Sequence, residues 1–100
     1  DCVLSLFDLK LNLQECSLEK KGEMILLTKT EYKILELLMK SPGRVYTKQQ
    51  IFDYAWEDMY MGDDSTLMVH ISNLRNKLKK ATGQDFVETV WGIGYRLKEN

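Results

Sequence analysis

The sequence predicts an α+β domain in which short antiparallel strands come first, three helices follow and a β-hairpin closes the chain. Three observations carry this. Short strand-like apolar segments fill the first 27 positions, helical spacing takes over from Thr28 to Thr82, and two short strand-like segments return between Phe86 and Lys98. The 100 residues suffice for one domain with a single modest core. With 44% hydrophobic and 29% charged residues the composition is that of an ordinary globule rather than a disordered chain.

The strands are read at Val3–Phe7, Leu9–Leu13, Ser17–Lys20 and Met24–Leu27. Leu9, Leu11 and Leu13 alternate with Lys10 and Asn12, which gives a sheet with one dry and one wet face. Lys21-Gly22 is the turn between the last two, where glycine supplies the positive φ.

Thr28-Lys29-Thr30-Glu31 is a capping box, with Leu27 and Tyr32 as its hydrophobic staple. The helix it opens runs to about Lys40, with Ile34, Leu35, Leu38 and Met39 inward, and Ser41-Pro42-Gly43 stops it. Arg44-Val45-Tyr46 is a brief extended piece. Thr47-Lys48-Gln49-Gln50 is a second capping box, and its helix runs to about Trp56. Glu57–Gly62 is a loop whose Met59, Tyr60 and Met61 either cover the core or offer a partner surface.

Asp63–Lys80 is the third helix. Leu67, Ile71, Leu74 and Leu78 form its buried stripe, while Ser65, Thr66, Val69, Asn73, Asn76 and Lys77 fall opposite and His70 on the flank. On this spacing Lys77 lies on the outward side and Lys79 does not. Asp63 and Asp64 suit the helix start, and the cations suit its end. No carboxylate occurs from Ser65 to Gln84, although an ordinary solvated helix mixes Glu with Lys. A face of small polar groups, an amide, one aliphatic and cations suits phosphates and base edges. The final strands, Phe86–Val90 and Tyr95–Lys98, are joined by Trp91-Gly92-Ile93-Gly94. The second and third helices make a helix-turn-helix with a long turn, and the hairpin beyond is a wing. The winged helix-turn-helix thus divides into a sheet (1–27), a three-helix core (28–82) and a wing (86–98).

Charge is unevenly placed. The formal net charge is −1, but residues 1–64 hold 8 Lys+Arg against 12 Asp+Glu, net −4, and residues 65–100 hold 6 against 3, net +3. Cys2 and Cys16 are the only cysteines and His70 the only histidine, which leaves no ligand set for a metal and suggests free thiols. No nucleophile has an activating base, so neither catalysis nor a cofactor is expected. The chain begins at Asp1, and the expectation is a domain cut from a longer protein.

These residues resemble the OmpR/PhoB-type effector domain, the winged-helix DNA-binding half of two-component response regulators. The likeness rests on Leu27–Tyr32, Ser41–Val45, Ala55-Trp56, Thr66–Leu78 and Thr89–Arg96, in order and at matching spacing along nearly the whole chain. The resemblance implies that the third helix lies in the major groove and reads bases through Ser65, Thr66, Val69, His70, Asn73 and Lys77. It implies phosphate contacts by Lys48, Trp56, Arg75, Thr89 and Tyr95, and a wing tip of Trp91, Gly92, Ile93 and Gly94 at the neighbouring minor groove. It implies that the loop with Met59, Tyr60 and Met61 contacts RNA polymerase. Several members carry Arg where this chain has Ser65, Ser72, Asn73 and Trp91, so weaker sequence-independent affinity follows here. Trp91 is expected to pack on the sheet rather than wedge between bases, because Trp is mostly buried on average.

No apolar run approaches the length of a membrane span, and the resemblance further implies a bacterial, cytoplasmic regulator. Its N-terminal receiver domain, absent from these residues, takes a phosphoryl group from a cognate sensor histidine kinase. The intact active protein would be a homodimer on promoter direct repeats, and the isolated domain a monomer. Two functions fit at this point: sequence-specific binding of double-stranded DNA for transcription regulation, and a winged helix that contacts protein through its acidic front and apolar loop. The acid-free stretch, Lys48, Trp56 and the wing favour the first.

Overall fold

The computed structural model describes residues 2–56 and 64–98. Strands β1 (Val3–Leu6), β2 (Leu9–Asn12), β3 (Ser17–Lys20) and β4 (Glu23–Ile25) form an antiparallel sheet in that order. Its register places Leu4 opposite Leu11, Leu6 opposite Leu9, and Leu11 opposite Leu18. Those pairs make the dry face: Leu9, Leu11 and Leu18 are fully buried. Ser5, Lys10, Glu19 and Met24 line up across the other face. Lys21 and Gly22 take φ of 50° and 87°, the double positive φ of a two-residue type I′ hairpin between Lys20 and Glu23. Cys2 and Cys16 are unbridged and exposed.

Helix α1 (Lys29–Lys40) packs between this sheet and the other two helices. Both halves of its capping box are formed. The Glu31 N–H donates to Thr28 Oγ1 at 3.2 Å, and the Thr28 N–H donates to Glu31 Oε1 at 2.9 Å. Helix α2 (Lys48–Ala55) repeats the device with Thr47 and Gln50, at 3.1 and 2.9 Å. Each box satisfies amides that the first helical turn leaves unpaired. Helix α3 (Asp64–Thr82) extends two residues past the expected Lys80. Thr82 Oγ1 donates back to the Leu78 carbonyl at 2.7 Å, and Gly83, at φ +77°, closes the end on the Lys79 carbonyl. Leu67, Ile71, Leu74 and Leu78 face the core as their spacing required. Among the described residues no helix is long and apolar enough to cross a membrane.

The extended piece before α2 does more than connect. Tyr46–Thr47 is strand β5, and it pairs with β7 (Gly94–Leu97), which pairs with β6 (Val87–Val90). The wing is therefore a three-stranded sheet ordered β5-β7-β6 rather than an isolated hairpin. Gly94 explains how. A Cβ built there would lie 1.9 Å from the Tyr46 carbonyl oxygen, so only glycine lets β5 cross so closely. Gly94 is thus a buried strand residue and not part of the wing tip where the spacing had put it. The tip is the three-residue turn 91–93.

Candidate nucleic-acid interface

Helix α3 presents Ser65, Val69, Asn73, Ser72 and Asn76 to solvent. Val69 and the neighbouring Met68 are 57% and 54% exposed and place two adjacent apolar side chains on this surface. Thr66 is half-buried on the α2 side of the same surface. Beside it, His70 meets the Trp56 ring edge-on with centroids 5.5 Å apart, and Trp56 in turn packs on Phe52. His70 is therefore half-buried against the end of α2 rather than set at the centre of the outward face.

Between α3 and the wing lies an open cleft of about 480 Å³. Lys48, Arg75 and Lys79 bring three cations to its lining, Asp85 one acid, and Met68 and Trp91 apolar surface. Lys48 enters it because the Thr47 cap sets the first turn of α2 beside β7. Tyr95, only 6% exposed, lines it from β7. Thr89 lines it from β6.

Two basic residues sit differently from expectation. Lys77 does not face outward with Ser65 and Asn73. Its Nζ donates to Glu31 Oε1 at 2.5 Å, tying α3 to the capping box of α1. Glu31 is 2% exposed, and a buried carboxylate draws the nearest ammonium to itself. Lys79, assigned to the other side by its spacing, is the one that reaches the cleft. Arg75 is also engaged: it donates to Asp85 Oδ2 at 2.8 Å and to Thr89 Oγ1 at 3.1 Å. That fork fastens α3 to the wing. Asp85 Oδ1 is buried without a hydrogen bond among the described residues. The Arg75 hydrogen bond, against an opposing contribution from burial, holds the Asp85 carboxyl below its ordinary value. Glu88 and Arg96 form an ion pair across β6 and β7.

Trp91 reverses an expectation. Its indole does not pack on the sheet; it is 89% exposed, and Ile93 beside it is 53% exposed. Average burial failed as a guide because Trp91 is the first central residue of the turn Val90–Ile93, which carries its ring away from the strands. Met59, Tyr60 and Met61, and Asp63 at the expected helix start, lie outside the described residues. Met68, Asn76, Lys79 and Asp85 are among the cleft residues that the sequence did not assign to the site. The spacing along α3 carried no sign of them, since the cleft is created by the wing.

The chain belongs to the family described as "Transcriptional regulatory protein, C terminal", whose model matches residues 22–97. That places it in the class of OmpR/PhoB-type winged-helix effector domains of response regulators. Among particular relatives, the uncharacterised transcriptional regulatory protein YcbL of Bacillus subtilis is 35% identical over 98 residues, covering 97% of this chain and 43% of its own length. The phosphate regulon regulator PhoB of Rhizobium meliloti is 36% identical over 92 residues, covering 91% of this chain and 40% of its own. The chain thus spans less than half the length of these curated relatives. The solved DNA-binding domain of the response regulator AdeR, in complex with an intercistronic region, superposes with a TM-score of 0.86 at 26% identity, covering 97% of this chain and 99% of that one.

Proposed function

We propose that this domain binds double-stranded DNA in a sequence-specific manner and is the output half of a phosphorylation-controlled response regulator. The observation that carries the reading is the outer face of α3: exposed Ser65, Val69, Asn73 and Asn76, free of carboxylates, beside a cleft lined by Lys48, Arg75 and Lys79. Such a face lies against a duplex without acid–phosphate repulsion. Membership of the family and the AdeR complex point the same way.

In this reading α3 enters the major groove. Val69 packs on a thymine methyl, Asn73 pairs an adenine edge, and Ser65 and Thr66 contact bases at the helix N-terminus. Lys48, Trp56 and Thr89 hold the phosphates that fix register, with Lys79 added from the cleft and Tyr95 serving as wall. The intact protein carries a receiver domain addressed by a sensor histidine kinase, pairs on direct repeats when phosphorylated, and touches RNA polymerase through the loop with Met59, Tyr60 and Met61. Support for these wider roles is the family and the greater length of the relatives.

Selection of bound duplexes from a random pool tests the central reading. A defined half-site is the expected outcome. Asn73→Ala should then lose discrimination at one position by about 1–3 kcal/mol while Lys48→Ala weakens all sequences alike. Equal losses on every sequence from both variants would remove Asn73 from the readers, and no enrichment at all would remove the DNA reading.

A further inference from the structure

We infer that Trp91, with Ile93 beside it, is an apolar wedge that enters the minor groove next to the half-site and opens a flexible base step; this rests on the DNA-binding reading above. The hairpin turns over Val90–Ile93, closed by the Ile93 N–H donating to the Val90 carbonyl at 3.0 Å, with Gly92 at φ +81°. A positive φ at the second central residue is the type II arrangement, and it leaves the first central residue, Trp91, at the outermost point. The tip is held firmly. Gly94 is locked beneath β5, and Glu88 pairs with Arg96 across the strands. An indole and an isoleucine held out on a rigid support forgo burial that only another surface can restore.

The tip is continuous with the DNA-facing surface, because Trp91 shares the cleft with Lys48, Arg75 and Lys79. A backbone seated on those cations brings the adjoining groove to the tip. No Lys or Arg occurs from Val90 to Tyr95, so the tip cannot read a narrow groove by its negative potential. An apolar side chain at that place acts instead by partial unstacking, which is cheapest at pyrimidine–purine steps. The tip therefore selects sequence through deformability rather than through charge.

The test uses the full chain and duplexes carrying the half-site recovered from the random pool. 2-Aminopurine is placed at the flanking step, and Trp91→Ala, Trp91→Phe and Trp91→Arg are compared with the parent. Expected are a rise in 2-aminopurine emission on binding, a preference for TA or CA/TG at a fixed distance from the half-site, and loss of both in Trp91→Ala with affinity lower by about ten-fold. Trp91→Phe should keep part of each signal. Trp91→Arg should lose the emission change and steepen the salt dependence by about one unit. The inference is overturned if the parent binds its half-site with silent 2-aminopurine and no flanking preference, or if Trp91→Ala leaves both unchanged. It is equally overturned if Trp91→Ala affects only pairing of two copies on adjacent sites, which would assign the tip to protein contact. Failure of the parent to select any half-site would count instead against DNA reading itself.

Discussion

At the scale of single residues the electrostatics are decided by burial. Burial would raise the Glu31 carboxyl, but the Lys77 ammonium and the Thr28 amide outweigh it and hold the group below its ordinary value. A carboxyl whose folded value lies below its unfolded one adds stability above the unfolded value and loses it as pH falls through the folded one. Stability should therefore decline below the ordinary Glu range, and Glu31→Gln should flatten that decline while costing about 1 kcal/mol near neutrality. Urea midpoints taken from neutral to acid pH check both. Asp85 makes a second prediction. Asp85→Asn removes the one acid from the cleft lining and frees the Arg75 fork from a full charge. Affinity for unrelated DNA should rise and the salt dependence steepen by about one unit, measured by titration at several salt concentrations. Both capping boxes were legible because each closes within four residues. The Lys77 and Lys79 assignments were not. Helical spacing fixes where a stem leaves the backbone, not where four methylenes carry the charge, and the partner of Lys77 lies 46 positions away.

At the scale of elements, β5 is the part that sequence could not reveal. Two residues, Tyr46 and Thr47, carry no alternation, and their pairing with β7 spans almost half the chain. Gly94 was visible as a glycine but was read as a turn residue, because its role depends on a strand that only the fold brings near. Gly94→Ala should destabilise the domain by about 3 kcal/mol or more, since the methyl meets backbone that cannot yield. Chemical denaturation measures the loss. Gly92→Ala, with open space around the added methyl, should cost much less although its φ is positive. The longer alternations and helical stripes gave β1–β4, α1, α2 and α3 to within a few residues. In β2 and the three helices, burial on one face leaves its period in the sequence.

For the whole molecule, the order of elements specifies the use of the surface. The N-terminal sheet backs α1, α1 backs α2 and α3, and β5 joins the start of α2 to the wing. The outer side of α3, the start of α2 and the wing thereby share one face of the molecule, around the cleft that they line. The fold and helix α3 could be seen in sequence, whereas the cleft arises only when β5 brings the wing against α3. The central claim is that this face, and not the sheet, meets a duplex. Its most direct test is amide NMR of the domain titrated at low ionic strength with the selected half-site. Ser65, Val69, Asn73, Lys48 and the turn 91–93 should shift while Lys10 and Glu19 on the sheet stay still. Unmoved α3 amides with binding intact, or shifts confined to the sheet, would contradict it.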